Sequence, residues 1–147
     1  MGRVRRRLAV FPRASRVTIV DSNAWADFFN GTPSPHAQRL EEALRGEEDL
    51  AVLPINVTEV LQGFRTDSGF ERARRVLVAL PVIHAAVDCH VRAARLYRSL
   101  RRRGVTVRGA VDCVIAQACL DIDAELLSPD ADFEHIARHT PLRLWRP

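Results

Sequence analysis

The chain has 147 residues, of which 47% are hydrophobic and 27% charged, and these values fit one globular domain rather than a disordered segment. No apolar run approaches the roughly 18–20 residues that a membrane span needs, which excludes a membrane protein. The three cysteines, Cys89, Cys113 and Cys119, form no CxxC pair. They argue against a disulfide framework or a zinc site and favour a reducing, intracellular setting.

The positive charge is concentrated at the amino terminus. All 22 basic residues are arginines, and six of them lie in the first 16 residues, which contain no acid. The remaining 16 arginines face 18 acids, so the rest of the chain has a net charge of −2 and is not by itself a basic, nucleic-acid-binding fold. We predict a disordered basic arm over residues 1–16 and one folded domain over residues 17–147; a transit peptide or a start site placed too far upstream are alternatives for the arm.

The first half of the chain alternates short apolar runs with helical patterns. The predicted elements are a strand at 17–20, helices at 24–29 and 35–45, a strand at 50–53, and a helix from 54 to about 63. Ser22 or Asn23 is the predicted cap of the first helix, and Ser34 before Pro35 begins the second.

The second half is mainly helical. The predicted elements are helices at 67–80, 85–103 and 110–120, a strand at 125–127, a helix at 132–138 and a strand at 142–144. Val82 and Ile83 form either a short strand or an extended linker. Short apolar strands that alternate with helices favour an α/β domain with a mainly parallel sheet, in which ligands bind at the carboxyl ends of the strands.

Four acids lie far apart in the chain, each in a setting that suggests this edge of the sheet. They are Asp21 after the first strand, Glu59 in the helix after the second, Asp112 at the start of an apolar helix, and Asp130 after the third strand. Four carboxylates at one edge would repel each other unless a cation joined them. A hard divalent metal is therefore the first hypothesis and phosphodiester chemistry the second.

Each acid also has a purely structural explanation. Asp21 can cap a helix. Glu59 can lie on a solvated helix face with Asn56. Asp112 can stabilise its helix through the macrodipole by roughly 0.3–1 kcal/mol. Either Asp130 or Asp132 can cap the helix that follows while the other faces the site.

Four segments resemble, in order and spacing, the motifs of PIN-domain ribonucleases, especially the VapC toxins of bacterial toxin–antitoxin pairs. The segments are Ile19–Trp25, Asn56–Val60, Asp112–Ala116 and Leu126–Phe133. Each motif alone is weak, but four in order over one domain are fairly specific. The resemblance covers residues 17–144.

The resemblance implies a three-layer α/β/α fold with a sheet of four to five short strands. It also implies a site in which the catalytic and metal-binding acids are Asp21, Glu59, Asp112 and Asp130, with Asp132 as an alternative or outer metal ligand. Ser128 matches the hydroxyl that precedes the fourth acid, and Asn23 stands where the family often has Ser or Thr. Arg108 is either a contact to RNA phosphate or a surface arginine at a helix entrance.

The resemblance further implies an endoribonuclease that depends on Mg²⁺ (or Mn²⁺) and leaves a 5′-phosphate and a 3′-hydroxyl. Its expected partners are RNA, with transfer RNA as a family-level expectation, a small antitoxin and a second copy of the chain, in the cytoplasm. One alternative is a PIN fold that has lost catalysis and serves as a binding module. Another is a receiver-like phospho-acceptor domain, against which the absence of lysine counts heavily.

Overall fold

The computed structural model describes residues 16–147, and within them four short strands form one parallel sheet. The strands are β1 (Thr18–Val20), β2 (Leu50–Ala51), β3 (Glu125–Leu127) and β4 (Arg143–Leu144), in the order β2-β1-β3-β4. Val82 makes a single parallel bridge to Val52 beyond β2. The predicted parallel sheet is confirmed, and the segment at Val82-Ile83 contributes one bridge rather than a full strand.

Seven helices connect the strands within residues 16–147. They are α1 (Ser22–Asn30), α2 (Pro35–Arg45), α3 (Pro54–Leu61), α4 (Asp67–Ala79), α5 (Val87–Arg102), α6 (Ala110–Ile122) and α7 (Ala131–Ala137). All seven were predicted, with ends that differ by about two residues. The predicted cap of α1 was wrong, because Asp21 is the N-cap and Ser22 is already helical.

Helices cover both faces of the sheet because the strand residues alternate between two cores. Ile19 and Leu126 pack into the core formed with α5, α6 and α7. Val20 and Leu127 pack into the core formed with α1, α2, α3 and α4. All four side chains are at most 1% exposed, as expected for a sheet buried on both faces. The three-layer α/β/α architecture is thereby confirmed.

The parallel topology brings distant parts of the sequence to one edge. Asp21 follows β1 directly, and Ser128 follows β3 directly, so both lie at the carboxyl ends of adjacent strands. The helix after β2, α3, begins at Pro54, and α6 runs back from Ala110 towards β3. The segments that carry the predicted acids therefore meet at this edge.

The predicted basic arm lies outside the described residues, except for Arg16. The division into an arm and a folded domain stays a prediction. Within residues 16–147, no helix combines the length and the apolar character that a membrane crossing requires.

The start of α2 can be tested without touching the site. The Ser34 hydroxyl accepts the Ala37 N–H at 3.0 Å, and Pro35 occupies the first turn. We expect Ser34→Ala to lower the free energy of unfolding by about 1 kcal/mol, because one N–H at the helix start loses its partner. Urea denaturation measures the change. Ser34→Asp retains a capping oxygen and should match the wild type; an equal loss in both variants would contradict the capping role.

Candidate active site

Three aspartates form the tightest acidic group at the carboxyl edge of the sheet. Asp112, Asp130 and Asp132 each offer one carboxylate oxygen, and these oxygens lie within 4.8 Å of one another. Asp112 is in the first turn of α6, Asp130 is the N-cap of α7, and Asp132 is in the first turn of α7. Two helix amino termini therefore point at the group, where their dipoles favour negative charge.

Asp21 is held beside this group by uncharged donors. The Ser128 hydroxyl donates to Asp21 Oδ2 at 3.0 Å and accepts the Asp130 N–H at 3.1 Å. The Asn56 amide donates to Asp21 Oδ1 at 3.5 Å. Asp21 is only 5% exposed. These contacts fix the carboxylate and join the end of β1 to the start of α7.

Glu59 faces the site rather than open solvent. The Ser22 hydroxyl donates to Glu59 Oε2 at 2.5 Å and also approaches Asp21 Oδ1 at 3.4 Å. Asn56, one turn earlier on α3, is fully buried. The solvated face considered for Glu59 and Asn56 is therefore wrong: this side of α3 packs against the end of β1.

Arg108 contacts two members of the acidic group. Its Nη2 lies 2.7 and 2.8 Å from the two oxygens of Asp130, and its Nε lies 3.0 Å from Asp132 Oδ2. The backbone N–H of Arg108 donates to the same Asp132 oxygen at 3.1 Å. This arginine was expected at a phosphate or at the surface, and in the structure it is an ion-pair partner of the site's own carboxylates.

Burial, together with mutual repulsion, changes the protonation of the carboxylates in the site. Burial, and then the charges of Asp130, Asp21, Asp132 and Glu59, raise the pKa of Asp112 from 3.8 to about 6. Burial also raises the pKa of Asp21, which the Ser128 hydroxyl partly offsets. Burial acts in the same direction on Asp132, but the backbone N–H and guanidinium of Arg108 outweigh it and lower the pKa of that group. Among residues 16–147, Arg108 is the basic side chain that forms ion pairs with this cluster.

The donor set fits a hard divalent cation. The converging ligands are carboxylate oxygens, which Mg²⁺ and Mn²⁺ prefer, and the group contains no thiolate or imidazole. A cation would relieve the repulsion that raises the pKa of Asp112. The buried Asn56 Oδ1 also has no hydrogen-bond partner among the described residues.

The predicted site residues differ in how the structure places them. Asp112, Asp130 and Asp132 form one acidic group, and Arg108 contacts two of its members. Ser128 joins Asp21 to this group, and Ser22 joins Glu59 to Asp21. The Asp130 side chain accepts the Asp132 N–H at 2.9 Å, so it caps α7 while it also belongs to the acidic group. From the sequence, one of Asp130 and Asp132 was expected to cap α7 and the other to face the site, but Asp130 does both. Asn23 is exposed and makes no side-chain hydrogen bond within residues 16–147.

Two residues of the site were missed in the sequence. Ser22 directly follows Asp21, and Asn56 lies three positions before Glu59. The i,i+3 spacing places Asn56 and Glu59 on one face of α3, which was the available signal. This spacing alone does not distinguish a site face from a solvated face, because both residues are polar and the apolar residues of α3 occupy another face.

Comparisons with known proteins identify the family that this chain resembles. The family profile of the PIN domain matches residues 18–139. Ribonuclease VapC11 of Mycobacterium tuberculosis is 34% identical over 128 residues, which cover 85% of this chain and 95% of that protein.

Solved structures also share the fold. A chain of the VapBC2 complex of Rickettsia felis, bound to a promoter DNA fragment, has a TM-score of 0.69 and 18% identity, and the match covers 88% of this chain and 99% of that chain. VapC20 of Mycobacterium tuberculosis, described as a Sarcin-Ricin loop cleaving toxin, has a TM-score of 0.60 and 18% identity, with 80% and 92% covered. At these identities the two structures show a common fold alone.

The raised pKa of Asp112 predicts a dependence of stability on pH in metal-free protein. Between pH 3.8 and about pH 6, the folded chain binds more protons at Asp112 than the unfolded chain does. The free energy of unfolding therefore falls as the pH rises through this range. We expect Asp112→Asn to stabilise the protein by about 1 kcal/mol at pH 8, after allowance for solvent screening, and to have little effect at pH 4.

Denaturation in the presence of a chelator at both pH values measures this difference. Asp121→Asn is the matched control on α6. Burial tends to raise the pKa of Asp121, but hydrogen bonds from Arg92, Gln117 and Cys89 and the charge of Arg92 outweigh it and lower that pKa. Replacement of Asp121 should therefore not stabilise the protein at pH 8. A destabilised Asp112→Asn at pH 8 would contradict the repulsion inferred for the cluster.

Proposed function

Because this chain belongs to the PIN-domain family and, within it, to the VapC ribonucleases, we propose that it is a divalent-metal-dependent endoribonuclease and the toxin of a toxin–antitoxin pair. The observation that carries the proposal is the convergence of five acids at the carboxyl edge of the sheet. Its substrate is RNA, with transfer RNA as the expected class, and it acts in the cytoplasm, where that RNA is found.

The ion would be Mg²⁺ or Mn²⁺, and Asp112, Asp130 and Asp132 together with Asp21 would hold it. Such an ion, when bound, lowers the pKa of a water molecule and stabilises negative charge on a phosphate. Glu59 extends the negative site from α3. The oxygen donor set and the raised pKa of Asp112 support this assignment.

The chain's own residues orient these acids before RNA binds. Ser128 and Asn56 donate to opposite oxygens of Asp21, and Ser22 donates to Glu59, so each carboxylate is fixed by a neutral group that adds no charge. Such second partners matter in metal sites, where their loss typically costs about 10–100-fold in affinity or activity. Arg108 is exposed beside the acids and contacts the RNA backbone during the reaction.

The proposal includes two protein partners, a small antitoxin and a second copy of the chain. Large apolar side chains are exposed on the described surface, and such groups mark interaction sites when they lie close together. They include Val87 at 80%, Val91 at 44%, Ile122 at 42%, Val82 at 38%, Ile55 at 37% and Val111 at 37%. An apolar groove of about 400 Å³ lies beside Ile55 and Val111, between α3 and α6.

Neither alternative is favoured. A receiver-like domain is at odds with membership of the PIN family, and the chain has no lysine for its phosphate site. A PIN fold that only binds RNA would not need an acidic cluster, whereas three of the predicted acids, Asp112, Asp130 and Asp132, converge in the described structure. RNA cleavage separates a binding module from an enzyme.

Replacement of Asp21 tests the catalytic assignment. We expect Asp21→Asn to remain folded, since burial disfavours the charge that is removed, and to lose at least about 100-fold in Mg²⁺-dependent RNA cleavage. The assay uses purified protein on total transfer RNA, with Mg²⁺, with Mn²⁺ and with a chelator. Asp121→Asn, which removes a carboxylate of the Arg92 pair outside the cluster, should cleave like the wild type. Equal activity of Asp21→Asn and the wild type would refute the assignment.

The toxin role makes a separate prediction in cells. Expression of the wild-type chain alone should arrest growth, and co-expression of the small gene beside its own gene should restore it. Asp112→Asn should not arrest growth, because the cluster that holds the ion is broken. Growth of cells that express wild-type chain at the same level as the variant would exclude the toxin role while leaving the nuclease assignment to the RNA assay.

A further inference from the structure

Arg108 occupies two of the four carboxylates that the proposed ion would use, those of Asp130 and Asp132. Its guanidinium contacts both oxygens of Asp130 and one oxygen of Asp132, and both acids belong to the group whose oxygens lie within 4.8 Å. Asp130 Oδ1 also accepts the N–H of Asp132, so little of that carboxylate is free. A metal ion that takes these oxygens must compete with the arginine.

The geometry allows the arginine side chain to leave without a loss of packing. Its side chain is 75% exposed, whereas those of Asp130 and Asp132 are 13% and 10% exposed. The backbone remains anchored, because the Arg108 N–H donates to Asp132 and the preceding Val107 is 2% exposed. The carboxylates are therefore the fixed partners and the guanidinium is the movable one.

We propose that Arg108 is a built-in counter-cation, which holds Asp130 and Asp132 when no metal is bound and withdraws when a metal binds. This inference rests on the proposed function, since it needs a metal at the same acids. It assigns two successive partners to one side chain. Without metal, the guanidinium pairs with the carboxylates of Asp130 and Asp132. Once a metal is bound, the released guanidinium pairs with an RNA phosphate. Metal binding thereby prepares the positive charge that the backbone of the substrate requires.

The first experiment follows the Arg108 Nε–H by nitrogen-15 NMR at low temperature while Mg²⁺ is added to the RNA-free protein. The resonance is assigned by its absence in Arg108→Gln. We expect it to move towards the position of a free arginine as the site fills. Arg74 is the internal control, because its Nε donates to Glu71 at 2.9 Å within α4 and that pair contains no site carboxylate. An unchanged Arg108 signal at saturating Mg²⁺ would overturn the proposal.

The second experiment measures Mn²⁺ affinity by electron paramagnetic resonance, which needs no RNA and no activity. Arg108→Gln should bind Mn²⁺ about two- to fivefold more tightly than the wild type, the range expected for loss of a competing exposed ion pair. Arg146→Gln is the matched control, because Arg146 pairs with Glu134 at 3.0 Å outside the acidic group, and its affinity should not change. Equal affinities of Arg108→Gln and the wild type would overturn the competition.

The two hypotheses fail in different ways. Failure of the wild type to bind Mg²⁺ or Mn²⁺ and to cleave RNA rejects the proposed function, and the role of Arg108 with it. Metal-dependent cleavage by a wild type whose Arg108 stays on its carboxylates rejects the counter-cation alone.

Discussion

Electrostatic repulsion at one edge of a parallel sheet is the constraint on which this molecule depends. At an effective dielectric constant of about 20, two full charges separated by 4.8 Å repel each other by about 3–4 kcal/mol, and the site contains five acids. The fold tolerates this by directing the amino termini of α6 and α7 at the group and by keeping Asp112 close to protonation near pH 6. The same density of negative charge would give the site its affinity for a divalent cation. Repulsion between the carboxylates thus both destabilises the metal-free protein and favours metal binding.

Neutral hydrogen-bond donors complete the arrangement. Ser22, Asn56 and Ser128 each satisfy a carboxylate oxygen without contributing a charge. A lysine or arginine at these positions would form a permanent ion pair in the depth of the cleft. The one cation that contacts the group, within residues 16–147, is Arg108, and it does so from the exposed rim. Positive charge is thus available to the site but is not built into its interior.

Most of the fold followed from local patterns, because the strands are short apolar runs and several helices begin at a proline or end at a glycine. The meeting of the acids also followed, since Asp21 and Asp130 lie directly after strands that a parallel sheet must align. The hydrogen-bond and ion-pair partners of these acids could not be predicted from local patterns. Asn56 looked solvent-facing because its helix has a separate apolar face, and only tertiary packing against β1 buries it. Arg108 lies four positions before Asp112 in the sequence, yet its partners are Asp130 and Asp132, which are more than 20 positions away.

Asp130 shows how closely shape and chemistry are joined in this domain, because its single side chain both starts α7 and adds charge to the cleft. Asparagine is as good as aspartate at the start of a helix. A related protein with asparagine at position 130 would therefore keep the fold of α7 and lose one carboxylate that could bind a metal ion. A conserved fold is therefore weak evidence of conserved activity in such proteins. The acidic residues at the carboxyl edge of the sheet have to be examined in each of them.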